Sequence, residues 1–545
     1  MITRRQFVAA SAAASASVAI GAPTSVLAAP AVHARRQDVD LLVRGGLMID
    51  GTGAEGRAVD VAITGGRVSA IGAGLSASAR EIIDASGLVV APGFVDIHSH
   101  ADGALYDDPR AESVIRQGIT TIVCGADGSS RAVGSPARPF GPYLESLERL
   151  RPACNVAAMV GLGSVRAAVV GNDDRPATPE ELRTMVSLVE RALADGACGA
   201  SSGLEYTPGA FASRDELIAL CRPLRARGLA YATHMRNEDD RLLDAIDEAI
   251  TVAEGAGCRL QVSHLKTQGP RNWDKLDVVF ERLVAAQARG LDVAFDRYPY
   301  LAYATGLTSL FPVWSRDGGT AAFFARLDDA AVRPHIREET LAKIALIGGW
   351  DNVQITSVKA VTDRAAEGKR LGQYATALGV DPFETAVALL RANDGDVGMV
   401  GFAMSEPNLE RILAHPLGMV CTDGGGFAID GPTRRGSPHP RGIGSFPRVL
   451  GRYVRERGAL SLADAIAKMS AKPAARAALV DRGVLAVGRP ADVVVFDPRT
   501  VDDVASFEQP FQYPTGIRAV VVNGTIALRD GARAREGSGR VLRPA

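Results

Sequence analysis

Four of the eight histidines close short apolar segments of the kind that form buried strands. His98 and His100 end FVDIHSH, and residues two apart on a strand point to the same face, so both imidazoles can reach one ion. His234 ends LAYATH, His264 ends RLQVSH, and Asp423 ends MVCTD. These imidazole and carboxylate groups predict a metal site that suits Zn²⁺, one or two ions, with Mn²⁺, Co²⁺ or Fe²⁺ as other possibilities.

The chemistry expected of such a site is hydrolysis. A bound divalent ion lowers the pKa of its water towards ~7 and polarises a carbonyl group. Asp423 is placed to take a proton from that water and to pass it to a leaving amine. The alternatives for Asp423 are a plain ligand or a helix N-cap before the glycines that follow it.

The elements that position these residues follow two patterns. Residues 93–484 alternate short buried strands with amphipathic helices, which predicts a parallel (β/α)8 barrel with its site at the carboxyl ends of the strands. Residues 38–92 and 485–545 show short alternating strands and Gly turns, which predict one small β-sandwich built from both ends of the chain. The stretch 310–400 exceeds one β/α unit and predicts an insertion over the barrel mouth, interpreted as a lid.

The amino terminus resembles an export signal. Arg4 and Arg5 precede Phe7 and a mildly apolar, Ala-rich stretch, so residues 1–34 are interpreted as a twin-arginine signal peptide. No later segment is apolar and long enough to span a bilayer, and the net charge of −1 gives no reason to expect a nucleic-acid partner. We therefore expect a periplasmic or secreted protein without a membrane anchor in its mature form, whose partners are the export machinery and a small-molecule substrate.

Longer motifs resemble the amidohydrolase superfamily, specifically its D-aminoacylase (N-acyl-D-amino-acid deacylase) branch. The resemblance covers nearly the whole mature chain and implies zinc-dependent hydrolysis of N-acyl amino acids in a (β/α)8 barrel. The matching stretches are VVAPGFVDIHSHAD, QGITTIVCGADG, GLEYTPG, THMRNE, VSHLKT, DRYPY, CTDGGG and SPHPRGIGSFPRVLGRYVRE.

The resemblance also implies residue roles. The metal positions of the family fall on four histidines and one aspartate, and that aspartate, Asp423, is also its general acid/base. Lys266 and Tyr298 fall on substrate-side positions, and Arg434 falls near the arginine expected to hold a substrate carboxylate, an arrangement that can be bidentate. For Lys266 and Arg434 the alternative is a solvated surface charge. His439 has two interpretations, a residue that lines the pocket or a structural loop histidine.

Two positions, Asp127 and Ala304, depart from the family pattern. The branch commonly has a bridging Cys where this chain has Asp127, so either Asp127 bridges as a carboxylate, which we favour, or no bridge forms there. Cys124, inside the preceding strand, is the alternative ligand, and a buried core residue is its other interpretation. Glu205 is a candidate for a bridging, substrate-pocket or surface role. Ala304 replaces a substrate-side Ser of the branch.

These observations predict a metal-dependent hydrolase of the amide bond of N-acyl-D-amino acids. The preference for the D-configuration rests wholly on the resemblance. Because Ala304 and Asp127 depart from the pattern, an amidohydrolase acting on dipeptides, cyclic imides or other amides is the alternative. A non-catalytic periplasmic metal-binding protein is the alternative of another class, and the complete His and Asp set argues against it.

Overall fold

The structure is a computed structural model that describes residues 37–133, 139–534 and 537–544. The predicted export signal, residues 1–34, lies outside these ranges. Among the helices within them, none combines the length and the apolar character needed to cross a bilayer.

The first part of the chain forms five strands. Gly turns at Gly65–Gly66, with φ values of 58° and 78°, reverse the chain between the second and third strands. The strands are β1 (Gln37–Met48), β2 (Arg57–Thr64), β3 (Arg67–Gly72), β4 (Ala77–Asp84) and β5 (Val89–Pro92).

The barrel begins immediately after β5. Its strands pair in parallel, and β8 and β9 form a single barrel strand that is interrupted at Met159. The strands are β6 (Phe94–Asp96), β7 (Ile119–Cys124), β8 (Asn155–Ala158), β9 (Val160–Gly161), β10 (Gly199–Gly203), β11 (Ala230–His234), β12 (Arg259–Val262) and β13 (Val293–Arg297).

Amphipathic helices cover the outside of these strands. The best capped is the fifth, in which Thr178 and Glu181 form a capping box and Gly196 ends the helix in the left-handed region. The helices are α1 (Asp102–Asp107), α2 (Glu112–Ile115), α3 (Phe140–Arg149), α4 (Leu162–Val169), α5 (Pro179–Asp195), α6 (Arg214–Arg225), α7 (Leu242–Ala256) and α8 (Leu276–Ala288).

A separate subdomain lies between β13 and the last barrel strand. It holds a three-stranded antiparallel sheet in the order β14–β16–β15, which the sequence analysis did not predict, and this sheet starts upstream of residue 310. The elements are β14 (Ala302–Gly306), α9 (Thr320–Asp328), α10 (Arg333–Leu346), β15 (Val353–Ser357), α11 (Leu371–Leu378), α12 (Pro382–Ala392) and β16 (Gly398–Phe402).

The eighth barrel strand closes the ring. It pairs with β13, and a parallel bridge joins Ser99 to Gly424, so the last strand meets the first. The elements of this part are α13 (Glu406–Ala414), β17 (Gly418–Val420), α14 (Arg441–Arg448), the π-helical segment Val449–Glu456, α15 (Leu462–Met469) and α16 (Ala471–Arg476). The predicted (β/α)8 barrel is therefore confirmed.

The last part of the chain completes the β domain. Val493–Phe496 pairs antiparallel with Val89–Pro92, so both ends of the chain share one nine-stranded sheet. The predicted β domain from both chain ends is confirmed in this pairing. The strands are β18 (Val493–Phe496), β19 (Ile517–Val522), β20 (Thr525–Arg529) and β21 (Ala532–Arg533).

Strand periodicity decides which side chains attach the β domain to the barrel. Successive side chains on a strand point to opposite faces. Val493 and Val495 lie in the core of the β domain, whereas Val494 and Phe496 lie in the large core shared with the barrel and its helices. Strand β18 therefore buries both of its faces, one in the core of the β domain and one against the barrel.

Candidate metal centre

Four imidazoles converge on one carboxylate oxygen at the carboxyl ends of the barrel strands. Asp127 Oδ2 lies 3.3 Å from His98 Nε2, 3.4 Å from His264 Nε2, 3.5 Å from His100 Nε2 and 4.0 Å from His234 Nδ1. The histidines come from the ends of β6, β11 and β12, and Asp127 follows β7. The fold therefore brings together residues that are up to 166 positions apart in sequence.

Asp423 completes this cluster from the loop after β17. Its Oδ1 lies 3.2 Å from His100 Nε2 and 3.4 Å from His98 Nε2. Its Oδ2 lies 2.7 Å from Nη1 of Arg441, which is itself buried. Asp423 thus presents one oxygen to the histidines and holds the other on a guanidinium.

In each of three buried histidines, one ring nitrogen faces the cluster and the other ring nitrogen contacts a carboxylate. Such a carboxylate fixes the tautomer and the orientation of an imidazole, and it is typical of metal-ligating histidines. The pairs are His98 Nδ1 with Asp296 Oδ1 at 3.3 Å, His234 Nε2 with Glu205 Oε2 at 3.3 Å, and His264 Nδ1 with Glu238 Oε1 at 3.1 Å.

The backbone of the cluster is held in an uncommon conformation. Asp127, His264 and Asp423 have φ values of 52°, 34° and 47°, in the left-handed region that non-glycine residues rarely adopt. Close packing holds the Asp127 loop in place, because a Cβ on Gly203 would lie 2.2 Å from the Asp127 carbonyl oxygen. Strain of this kind concentrates at functional sites.

The charge balance of the cluster suits a cation. Burial alone would lower the pKa of an imidazole, but Asp127 and Asp423 outweigh it and raise the pKa of His100 to about 9. Burial alone would raise the pKa of Asp127, yet His98 and His264 hold it well below its ordinary value. In the part of the chain that the structure describes, the buried atoms His98 Nε2 and Asp127 Oδ1 accept or donate no hydrogen bond. These residues therefore fit a divalent metal ion.

A cavity of about 280 Å³ opens beside the cluster. Lys266 and Tyr298 both line it, and so does Lys343 from α10 of the subdomain. Lys266 Nζ donates to Glu238 Oε1 at 2.6 Å, and the Tyr298 hydroxyl is buried without a hydrogen-bond partner among the described residues. The predicted substrate-side residues Lys266 and Tyr298 thus face the space beside the metal cluster.

Three further candidates lie elsewhere or act differently. Cys124 is buried in the apolar core between strands and helices, outside both potential ligand groups of the described residues, and burial raises its pKa. Arg434 is exposed and its guanidinium lies 5.4 Å from the centre of the Phe511 ring, so it does not line the cavity. His439 is a structural loop residue in its contacts, since Nε2 donates to the Ala302 carbonyl and Nδ1 accepts from a backbone N–H.

The sequence analysis missed three charged residues of the site. Arg441 lies inside the motif SPHPRGIGSFPR, where only its contact with Asp423 reveals its place. Asp296 and Glu238 lie in DRYPY and THMRNE, directly at or after strand ends, and this position was the available signal. Glu205, predicted with three open roles, contacts the outer nitrogen of His234 and lines the cavity.

Comparison with known proteins decides the family. The amidohydrolase family profile matches residues 81–399 and 423–528. This chain belongs to the amidohydrolase family. It is 36% identical over 523 residues to a D-aminoacylase of Alcaligenes xylosoxydans xylosoxydans, covering 93% of this chain and 98% of that protein. It is also 36% identical over 527 residues to an N-acyl-D-glutamate deacylase of the same organism, covering 93% and 97%.

Solved structures agree with this membership. An N-acyl-D-glutamate deacylase of Bordetella bronchiseptica, complexed with zinc and a phosphonate inhibitor, is 34% identical and superposes with a TM-score of 0.80 over 93% of this chain and 100% of that chain. A D-aminoacylase studied for its binuclear metal centre is 35% identical with a TM-score of 0.79 over the same shares. An L-hydantoinase of Arthrobacter aurescens, at 18% identity and a TM-score of 0.57 over 93% of this chain and 100% of that chain, shares the fold alone.

Proposed function

We propose that this amidohydrolase cleaves the amide bond of N-acyl-D-amino acids with water and releases a carboxylic acid and a D-amino acid. The observation that carries the proposal is the convergence of four imidazoles, Asp127 and Asp423 beside the cavity. The relatives at 36% identity supply the substrate class, because they are deacylases of D-amino acids. Hydantoinases share only the fold, so cyclic imides are the less favoured substrates.

Zinc is the metal that we propose for this cluster. His98, His100 and Asp423 would hold one ion, His234 and His264 would hold a second, and Asp127 is within reach of both sets. A bound Zn²⁺ supplies an activated water and polarises the scissile carbonyl. Side chains of the protein transfer the proton and bind the substrate.

Asp423 carries the proton in this proposal. Arg441 occupies Oδ2, which leaves Oδ1 as the oxygen that faces the reaction centre. Oδ1 takes the proton that the attacking water loses and passes it to the amide nitrogen as the C–N bond breaks. Burial alone would raise the pKa of Asp423, but the neighbouring Arg441 and histidines lower it, so the group starts as a carboxylate.

Tyr298 and Lys266 act on the substrate. The Tyr298 hydroxyl, buried and without a partner among the residues described, is free to donate to the carbonyl oxygen as it gains negative charge. Lys266 places a cation on the same cavity wall, where it attracts the free carboxylate of the amino acid. The predicted role of Arg434 in holding that carboxylate stays a prediction, since its side chain is exposed.

Paired substrates test the proposed function. The purified chain, with its metal content measured, is given N-acetyl-D- and N-acetyl-L-amino acids, a dipeptide and a hydantoin. We expect release of amine from the D-substrates only, with loss on chelation and recovery on return of zinc. Hydrolysis of the hydantoin or the dipeptide, without hydrolysis of the N-acetyl-D-amino acids, would contradict the proposed substrate class. Bound metal without turnover of any amide would support the non-catalytic alternative.

We also propose that the chain leaves the cytoplasm by twin-arginine export and works in the periplasm or outside the cell. The paired Arg4 and Arg5 before an Ala-rich stretch support this proposal. Replacing both by Lys should leave full-length precursor in the cytoplasmic fraction. Equal periplasmic recovery of wild type and double variant would argue against this route.

A further inference from the structure

One oxygen atom, rather than a whole carboxylate, faces both sets of histidines. Asp127 Oδ2 is the shared neighbour of His98 and His100 on one side and of His234 and His264 on the other. The second oxygen, Oδ1, is buried and makes no hydrogen bond within the described ranges. A carboxylate that joined two ions through both oxygens would turn one oxygen to each set, and the structure does not have this arrangement.

Close contacts hold the backbone of the loop that carries Asp127. Gly128 N–H donates to Ser201 Oγ at 3.0 Å, and Ser201 Oγ donates to the Gly125 carbonyl at 2.5 Å. A Cβ on Gly128 would lie 2.5 Å from the backbone nitrogen of Gly203, so the loop is packed directly on β10. The short side chain of Asp127 therefore extends from a tightly packed loop, with Oδ2 turned towards the four histidines.

The donor atoms around this oxygen are nitrogen and oxygen only. Each of the two potential ligand groups in the described ranges consists of histidines and acidic residues, without a thiol. All six cysteines are buried as free thiols outside these groups. Soft thiolate ligands favour soft ions, whereas imidazole and carboxylate ligands suit harder first-row ions.

We propose that Asp127 Oδ2 alone bridges two divalent ions, and that this thiol-free shell makes the site select Zn²⁺, Co²⁺ and Mn²⁺ against the thiophilic ion Cd²⁺. The inference rests on the proposed metal centre and adds the identity of its bridging atom and its ion preference. It does not depend on which amide the enzyme cleaves.

Metal competition tests the ion preference. The purified full-length chain is stripped with chelator and given equimolar Zn²⁺ and Cd²⁺ at limiting concentration, and the bound metals are quantified by mass spectrometry. Asp127→Cys exchanges the bridging oxygen for the softer ligand sulfur and should raise the ratio of bound Cd²⁺ to Zn²⁺ by roughly tenfold, about 1.4 kcal/mol in relative affinity. Loading this variant with Co²⁺ should also add a sulfur-to-cobalt charge-transfer band that the wild type lacks.

Cys124→Ser is the matched control, because Cys124 lies three residues before Asp127 and outside the cluster. We expect its Cd²⁺ to Zn²⁺ ratio to equal that of the wild type. An unchanged ratio in Asp127→Cys, or an equal shift in Cys124→Ser, would overturn the ion preference.

Stoichiometry tests the bridge. The wild type should saturate with two ions per chain, and Asp127→Asn, whose neutral amide oxygen is a poor bridge between two cations, should retain one tightly bound ion. Circular dichroism of each variant verifies the fold. Saturation of the wild type at a single ion, or two tight ions in Asp127→Asn, would overturn the bridge, whether or not D-selective hydrolysis is observed. Absence of hydrolysis with these stoichiometries intact would instead remove only the proposed function.

Discussion

The β domain and the carboxyl edge of the barrel are built differently. In the β domain, β18 pairs antiparallel with β5 on one side and β19 on the other, and its residues Val493–Phe496 are all buried. At the barrel edge, Asp127, His264 and Asp423 adopt left-handed backbone conformations and bury charge against charge. Apolar packing therefore stabilises the β domain, whereas the barrel edge adopts uncommon backbone conformations that place polar atoms for function.

The largest expected effect comes from the edge. Asp423→Asn removes the group that carries the proton, so kcat on an N-acyl-D-amino acid should fall by roughly 10²–10⁴-fold. Steady-state kinetics on protein of measured metal content gives the result, and circular dichroism verifies that the fold persists. A decrease of less than about tenfold would mean that another group carries the proton.

A substitution in the β domain should affect stability rather than catalysis. Phe496→Ala empties a fully buried position that faces the barrel, near the ring of Phe94, so the free energy of unfolding should fall by about 3–5 kcal/mol. Denaturant titration measures this loss. The kcat of the folded variant should match that of the wild type. A decrease in the kcat of the folded variant would show that the β domain and the barrel edge do not act independently.

Acid should lower the free energy of unfolding, and His439 should contribute to this loss. Burial, and then the adjacent Arg441, hold the pKa of His439 well below its ordinary value, so the folded state keeps it neutral. The unfolded chain binds a proton there below a pH of about 6.5, so this residue lowers the free energy of unfolding by about 1.4 kcal/mol for each pH unit below that point. His439→Gln should show a correspondingly flatter decline between about pH 6.5 and pH 5, and equal slopes would contradict the assignment.

The smallest expected effect on substrate binding comes from a substitution outside the cavity. Arg434→Ala removes an exposed cation, which should change the free energy of substrate binding by less than about 1 kcal/mol and leave KM within about fivefold. Lys266→Met removes a cation from the cavity wall and should raise KM more. A larger effect of Arg434→Ala than of Lys266→Met would show that Arg434 reaches the substrate after all.

The barrel and its histidines were predictable from the sequence, whereas several contacts of the site and the sheet of the subdomain were not. Strand ends and the His-x-His spacing were enough to predict the barrel and to select the histidines that the structure brings together, because parallel strands place their carboxyl ends at one edge. Arg441 was not predictable, since its role depends on a contact 18 residues away with Asp423 that no periodicity encodes. The sheet of the subdomain was missed because β14 and β16 are separated by about 90 residues and pair only in three dimensions.

The pairing of Val493 with Pro92 has a consequence for biosynthesis. When β5 leaves the ribosome, its partner β18 is still about 400 residues from being translated. At roughly 5–20 residues per second, that edge waits for tens of seconds with its backbone unpaired, a state that invites intermolecular association. Completion of this sheet is therefore a late event in the synthesis of the chain.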